Sequence, residues 1–232
     1  IAPIAGRHLH LSLDARMQQM AEQLLGDYKG AVIALDPKTG AILTFASTPT
    51  YDPNPFVNGI DTDSYQALRD DPDKPLVNRA LNGKYSPGST IKAFLGLAAL
   101  EFNQTTPAVC PGWYSLPGDS HRFRCWKKAG HGHVDLHTAV VQSCDVFFYR
   151  LAVSLGPERV KAFLTDFGFG GKTGIDLMGE SEGLLPSPEW KKSRGQPWYP
   201  GETVIMGIGQ GQVLVTPLQL AVAMGSIANR GI

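Results

Sequence analysis

Long apolar runs are missing from this sequence. No stretch approaches the roughly 20 consecutive apolar residues that a membrane-spanning helix needs, and no signal peptide opens the chain. An excess of charge is missing as well: 21 basic residues balance 21 acidic ones. A polyanion partner calls for a basic stripe, and none is visible, so nucleic-acid binding is not expected. Cysteine is scarce, with three in 232 residues, an odd number that paired disulfides cannot use up. Internal repeats and low-complexity segments are absent too. What is abundant is glycine (26) and proline (17), alongside 43% hydrophobic residues. Such a chain can bury a real core. It carries too many chain-breaking residues for a helical bundle, and it predicts a mixed fold with long, ordered loops.

His8 to Leu13 alternates in the manner of a strand, and Asp14 then caps a helix to about Leu25 that Gly26 closes. Residues 31–35 and 41–46 read as strands, joined by the turn chemistry of Asp36 to Gly40. Residues 47–84 are rich in Pro, Asn and Asp, with little periodicity outside Tyr65 to Leu68; a loop of that length usually carries function or disorder. An apolar helix runs from Ser89 to about Glu101. Residues 102–133 are irregular. Helices follow from Leu136, from Asp145 to Leu155 and from Pro157 to Phe167. Residues 175–201 are loop-rich, and Thr216 and Pro217 start a last helix to about Asn229. Helices outnumber strands, and one hairpin needs further strands to make a stable sheet.

Candidate chemistry starts at Ser89-Thr90-Ile91-Lys92. A three-residue spacing puts Ser89 and Lys92 on one helical face. A serine needs a neighbouring base to become a nucleophile. A lysine serves as that base only when part of it is uncharged, which burial and the positive end of a helix both favour. The same helix end aims backbone N–H groups at an oxyanion formed beside Ser89. The bland alternative is an N-cap serine and a solvated lysine. Against it, Ser89 is the only serine in the chain with lysine three residues later, and Lys92 opens a run too apolar for a surface. Ser143-Cys144-Asp145 brings a hydroxyl and an acceptor to one place, where the hydroxyl can relay a proton. A helix cap explains the same tripeptide, as it does Ser12-Leu13-Asp14.

Cys110, Cys125, His131 and Cys144 are spaced Cys-x14-Cys-x5-His-x12-Cys. Three thiolates and an imidazole make a closed structural zinc set, in a stretch with little core of its own. A Cys110–Cys125 disulfide beside a buried Cys144, or three unrelated thiols, fits the spacing equally, and His121 and His133 are alternative nitrogen donors.

Longer segments carry a family resemblance. YSPGSTIK (85–92), SCDVFFY (143–149), FGFGGKTGIDL (167–177) and GIGQGQVLVTPLQLA (207–221) resemble the class B penicillin-binding proteins. LVNRALNGKYSPGSTIK (76–92), PGWYSLPG (111–118), WKKAGHGH (126–133), EWKK (189–192) and PWY (197–199) resemble, within that family, the penicillin-binding protein 2 branch, the transpeptidases of rod-shape elongation. The resemblance implies an α+β fold of the penicillin-binding transpeptidase and serine β-lactamase kind: an antiparallel sheet with helices on both faces, plus a mostly helical, loop-rich sub-domain within 47–200. Residues 1–232 are then one transpeptidase domain, with the remaining sheet strands, and the catalytic Lys-Ser/Thr-Gly on one of them, expected beyond Ile232. Ser-x-x-Lys, Ser-Asp-Asn and Lys-Thr-Gly form this superfamily's catalytic set. By resemblance Ser89 is the acylated nucleophile, Lys92 its base and Ser143 the proton relay, and Asp145 stands where many relatives carry Asn. Lys38-Thr39-Gly40 and Lys172-Thr173-Gly174 are both read as decoys for the third motif.

The implied reaction is peptidoglycan D,D-transpeptidation through an acyl-enzyme, with β-lactams acylating the same serine. Implied partners are stem peptides, β-lactam antibiotics and membrane proteins of the elongation machinery. The implied place is the periplasmic face of the inner membrane, with a single N-terminal anchor in the parent protein. Resemblance also implies that Cys110, Cys125, His131 and Cys144 hold structural zinc, His131 being preferred as the first histidine of Gly-His-Gly, and that catalysis uses no cofactor. The competing functions are a serine β-lactamase or D,D-carboxypeptidase, and a non-catalytic β-lactam sensor or scaffold.

Overall fold

The computed structural model describes residues 6 and 8–231; the outer bounds of the expected domain, 1 and 232, lie outside the described residues. Helix α1 (Ala15–Leu25) begins at Asp14, whose carboxylate accepts from the main-chain N–H of Arg16 and Met17, and it ends at Gly26. Strands β1 (Gly30–Leu35) and β2 (Ile42–Thr48) form the expected antiparallel hairpin, Gly30 opposite Thr48. The Asp36 carboxylate ties its turn by accepting from the Lys38 N–H and the Thr39 hydroxyl, each at 2.9 Å. That disposes of the first Lys-Thr-Gly as a plain turn.

The segment His8 to Leu13 is not a strand. Its main chain finds no ladder partner among the described residues, and Leu9 and Leu11 are 87% and 73% exposed. The edge of β2 is served instead by α1: the Gln18 side chain accepts from the Phe45 N–H at 2.8 Å and donates to the Phe45 carbonyl at 3.3 Å.

Within 47–84 the structure holds α2 (Thr62–Asp70) and α3 (Arg79–Asn82). The Asp61 carboxylate caps α2 at the Ser64 N–H, yet none of its residues is buried, and its only trace in the sequence is the short periodicity of Tyr65 to Leu68. A 3-10 turn (Gly88–Ile91) feeds α4 (Lys92–Glu101), one turn later than the expected helix start.

Four short strands then organise the irregular stretch. β3 (Ala108–Cys110) pairs with β6 (Gly132–Val134), and β4 (Trp113–Tyr114) pairs with β5 (Phe123–Arg124). Helices α5 (Leu136–Val141), α6 (Asp145–Leu155), α7 (Pro157–Asp166), α8 (Pro188–Lys192), α9 (Pro200–Met206) and α10 (Pro217–Ala228) complete the chain. Helix α9 was unforeseen because Pro-Gly reads as a loop. Pro200 occupies the first helical turn, where its missing N–H costs nothing, and the Glu202 carboxylate caps the Tyr199 N–H at 2.9 Å.

The core lies around α4 and α6. Lys92, Phe94, Leu95, Gly96, Ala98 and Ala99 of α4 are buried, and Asp145 to Tyr149 of α6 are buried without interruption. The fully buried Phe94 meets Phe167 and Phe169 edge-on at 5.1 and 5.0 Å; burial of such a ring contributes roughly 1.5–3 kcal/mol. The strands of the described residues form three separate two-stranded pairs rather than one sheet. The hairpin packs on α1 and α10, leaving a groove of about 770 Å³ lined by Leu13, Leu35, Ile42, Leu218 and Val222 among others.

Candidate active site and thiol cluster

Two buried helices meet at the site. Lys92 opens α4 and is 2% exposed. Its Nζ donates to the Ser143 carbonyl at 2.9 Å, to the Ser143 Oγ at 3.0 Å and to Asp145 Oδ1 at 2.5 Å. The sequence reading gave this amine burial and the positive end of a helix; the structure adds direct contact with a carboxylate, forming a buried ion pair whose side chains are 3% and 10% exposed.

The turn between α5 and α6 explains how three neighbours reach one cation. Ser143 has φ 51°, a left-handed conformation that costs a non-glycine residue of order 1–2 kcal/mol. That bend directs its hydroxyl at Lys92. Cys144, not Ser143 or Asp145, occupies the N-cap of α6, and its side chain makes no cap hydrogen bond. Asp145 spends its second oxygen on the Trp126 N–H at 2.8 Å. The helix-cap explanation for this tripeptide therefore fails, while Asp14 in Ser12-Leu13-Asp14 is the cap that was expected.

Ser89 stands on the 3-10 turn ahead of Lys92 and is exposed. It lines a cleft of about 530 Å³ together with Ser143, Asp145, Arg124, Trp126 and Tyr149. Its approach is set by glycines: the Gly88 N–H donates to the Gly209 carbonyl at 3.0 Å, and both residues have positive φ, 56° and 65°. A Cβ on Gly209 would stand 2.5 Å from the Gly88 carbonyl oxygen. The second Lys-Thr-Gly is remote in role as well: the Thr173 N–H and hydroxyl both bind Glu180 Oε1, at 2.8 and 2.6 Å.

Trp126 was missed by sequence reasoning. Its indole N–H donates to the Gln142 and Ser143 carbonyls at 3.0 and 3.1 Å, so it clamps the strained turn from outside while its ring stays 64% exposed in the cleft. Its signals were its place beside Cys125 and at the head of the WKKAGHGH segment.

Cys110, Cys125, Cys144 and His131 come together behind this turn, their donor atoms all within 4.8 Å of one another. The three cysteines are free thiols and buried. His131 Nδ1 lies 3.5 Å from Cys110 Sγ and 3.6 Å from Cys125 Sγ, and its Nε2 is buried with no hydrogen-bond partner among the described residues. Burial pushes the Cys144 thiol up to about 12 and raises Cys125 as well; burial lowers His131. His133 is exposed on β6 opposite Val109, and His121 packs on Phe123, so neither replaces His131. These four donors are of the kind that could hold a metal ion.

Residues 30–232 match the penicillin-binding protein transpeptidase domain. The chain is 48% identical over 233 residues to the peptidoglycan D,D-transpeptidase MrdA of Acinetobacter baumannii, covering 99% of this chain and 35% of that protein. It spans about a third of the length of the curated relatives it matches. Among solved structures, Pseudomonas aeruginosa PBP2 in complex with WCK 5153 superimposes with a TM-score of 0.92 at 48% identity, covering 96% of this chain and 49% of that one. Helicobacter pylori PBP2 in complex with MreC gives 0.90 at 41% identity, covering 96% and 42%. A family match over residues 30–232, identities of 41–48% and TM-scores of 0.90 and 0.92 leave one assignment: this chain belongs to the penicillin-binding protein transpeptidase family.

Proposed function

We propose that this chain is the acylating part of a peptidoglycan D,D-transpeptidase of the elongation type. The observation that carries the reading is the buried Lys92 amine, 3.0 Å from the Ser143 hydroxyl, behind a cleft that Ser89 also lines. In this reading Ser89 Oγ attacks the carbonyl carbon of the penultimate D-alanine of a stem peptide. Its proton passes to Lys92 Nζ, the base that Asp145 and the Ser143 carbonyl hold in place. The amide bond breaks, and the departing D-alanine amine takes a proton by way of the Ser143 hydroxyl. An amine from a neighbouring strand then attacks the Ser89 ester, forming the cross-link and restoring the serine hydroxyl. β-Lactams stop at the ester.

The test is intact-mass spectrometry after exposure to a labelled penicillin. One adduct is expected on the parent protein and none on Ser89→Ala; an adduct that survives in Ser89→Ala sinks the assignment. Slow loss of the adduct separates a transpeptidase from hydrolysing relatives. Gly209→Ala probes the same centre by displacing the Gly88 main chain ahead of the nucleophile. We expect at least tenfold slower acylation and a loss of about 1–3 kcal/mol in stability. Gly171→Ala, where a Cβ meets nothing within 4 Å, serves as control.

We assign structural zinc to the thiol cluster. Tetrahedral zinc with sulfur and imidazole ligands keeps those atoms roughly 3.5 Å apart, which the 3.5 and 3.6 Å separations at His131 Nδ1 fit. Cys110, Cys125, Cys144 and His131 would hold it, and four protein ligands leave no position for substrate. The metal would supply a cross-link that stiffens the Ser143 turn; catalysis needs no cofactor. We further infer that the sub-domain within residues 47–200 frames the cleft. The enzyme then works at the periplasmic face of the inner membrane, where its wall substrate lies. The likeness to a PBP2 solved with MreC supports elongation-machinery membrane proteins as partners.

A further inference from the structure

We propose that Arg124 is a specificity-determining residue that binds a side-chain carboxylate of the donor stem peptide. The inference rests on the transpeptidase reading above and extends it to substrate choice. Charge accounting in the cleft leads to it. Of the residues lining the space beside Ser89, two carry charge, Arg124 and Asp145. Asp145 is spent, one oxygen on Lys92 and the other on the Trp126 N–H. Arg124 is not: among the described residues its guanidinium makes no hydrogen bond or ion pair, and its side chain is exposed. The nearby Trp113 ring, cross-strand from Arg124, is already covered by Arg122 at 4.2 Å.

The backbone of Arg124, by contrast, is fixed. It lies on β5, and its carbonyl accepts from the hydroxyl of the buried Tyr149 on α6 at 2.9 Å. Burial raises the Tyr149 hydroxyl, which therefore stays protonated and donating at neutral pH. A planar, permanently charged fork anchored on the wall of a substrate cleft is suited to a carboxylate, which it can bind through two parallel hydrogen bonds. The terminal carboxylate of the donor departs with D-alanine; the contact we assign is to a carboxylate that stays on the donor.

The experiment uses the full protein and two synthetic donor peptides ending in D-Ala-D-Ala. They differ only in the third residue from the C-terminus, whose side chain ends in a carboxylate or in its amide. In Arg124→Gln, kcat/KM for the acid donor is expected to fall about tenfold. The loss should appear in KM, because the contact is remote from the bond that breaks, and the amide donor should change less than about twofold. Arg124→Lys should keep part of the preference. The rate of penicillin acylation at Ser89 reports the integrity of the centre, and its loss in Arg124→Gln should be smaller than the loss with the acid donor. Equal effects on both donors, or none, overturn the proposal. A matching loss of penicillin acylation also overturns it, since Arg124 would then serve the terminal carboxylate or the centre itself. Failure of the parent protein to form any adduct at Ser89 would instead strike the underlying reading.

Discussion

Asp145→Ala is expected to cost about 3–5 kcal/mol of stability and to slow penicillin acylation by about 10²–10⁴-fold. The stability loss follows from burial. Lys92 and Asp145 are 3% and 10% exposed at the side chain and 2.5 Å apart, so removal of the carboxylate strands an ammonium that water cannot reach. The rate loss follows from geometry, since the amine faces Ser143 only while Asp145 and the Ser143 carbonyl hold it there. Asp145→Asn keeps the volume and one acceptor and should fall between parent and alanine variant. A paired change, Lys92→Met with Asp145→Leu, should recover much of the stability, because no unpaired charge stays buried, and none of the acylation. Thermal unfolding and a fluorescent penicillin measure the two effects. An alanine variant as stable and as fast as the parent would dismiss the ion pair as the organiser of this site.

Metal removal is the second large effect. With free zinc at a thousand times its Kd, binding to the folded state contributes about 4 kcal/mol, and a strong chelator should remove that contribution and lower the melting temperature. The pH dependence has a definite sign. Burial holds Cys125 above its ordinary value and Cys144 at about 12, so both are protonated at neutral pH and each must lose its proton to become a ligand. Affinity should therefore rise as pH rises, by about a hundredfold per pH unit from these two thiols. His131, lowered by burial, is already neutral there and adds little to the slope. Purified protein with less than about a tenth of an equivalent of zinc, or an affinity flat across pH 6 to 8, would overturn the metal assignment.

The sequence was most informative where one residue decides a local structure. Asp14 and Gly26 bounded α1, the Asp36 turn made the hairpin, and the apolar run after Lys92 made a buried helix. The four candidate metal ligands, with 14, 5 and 12 residues between them, did converge. Sequence reasoning was weakest where packing decides. His8 to Leu13 has the alternation of a strand but no ladder to join among the described residues. α2 buries no side chain and left only the short periodicity of Tyr65 to Leu68. The carboxylate against Lys92 was half legible: Asp145 was named, yet nothing local reveals that it faces an amine 53 positions away rather than capping its own helix. Trp126 was illegible for the same reason, since its partners, Gln142 and Ser143, lie 16 and 17 positions off.

Cys144 and Asp145 share a peptide bond, one residue turned into the thiol cluster and the next into the ion pair with Lys92. The two assemblies are thus geared together, with no slack between sulfur and amine. A lineage that surrenders its sulfur donors must re-brace this bend by other packing, or the Ser143 hydroxyl drifts out of register with Lys92. Substitutions on this side of the cleft would carry the same mechanical penalty, which directs tolerated change toward the opposite wall.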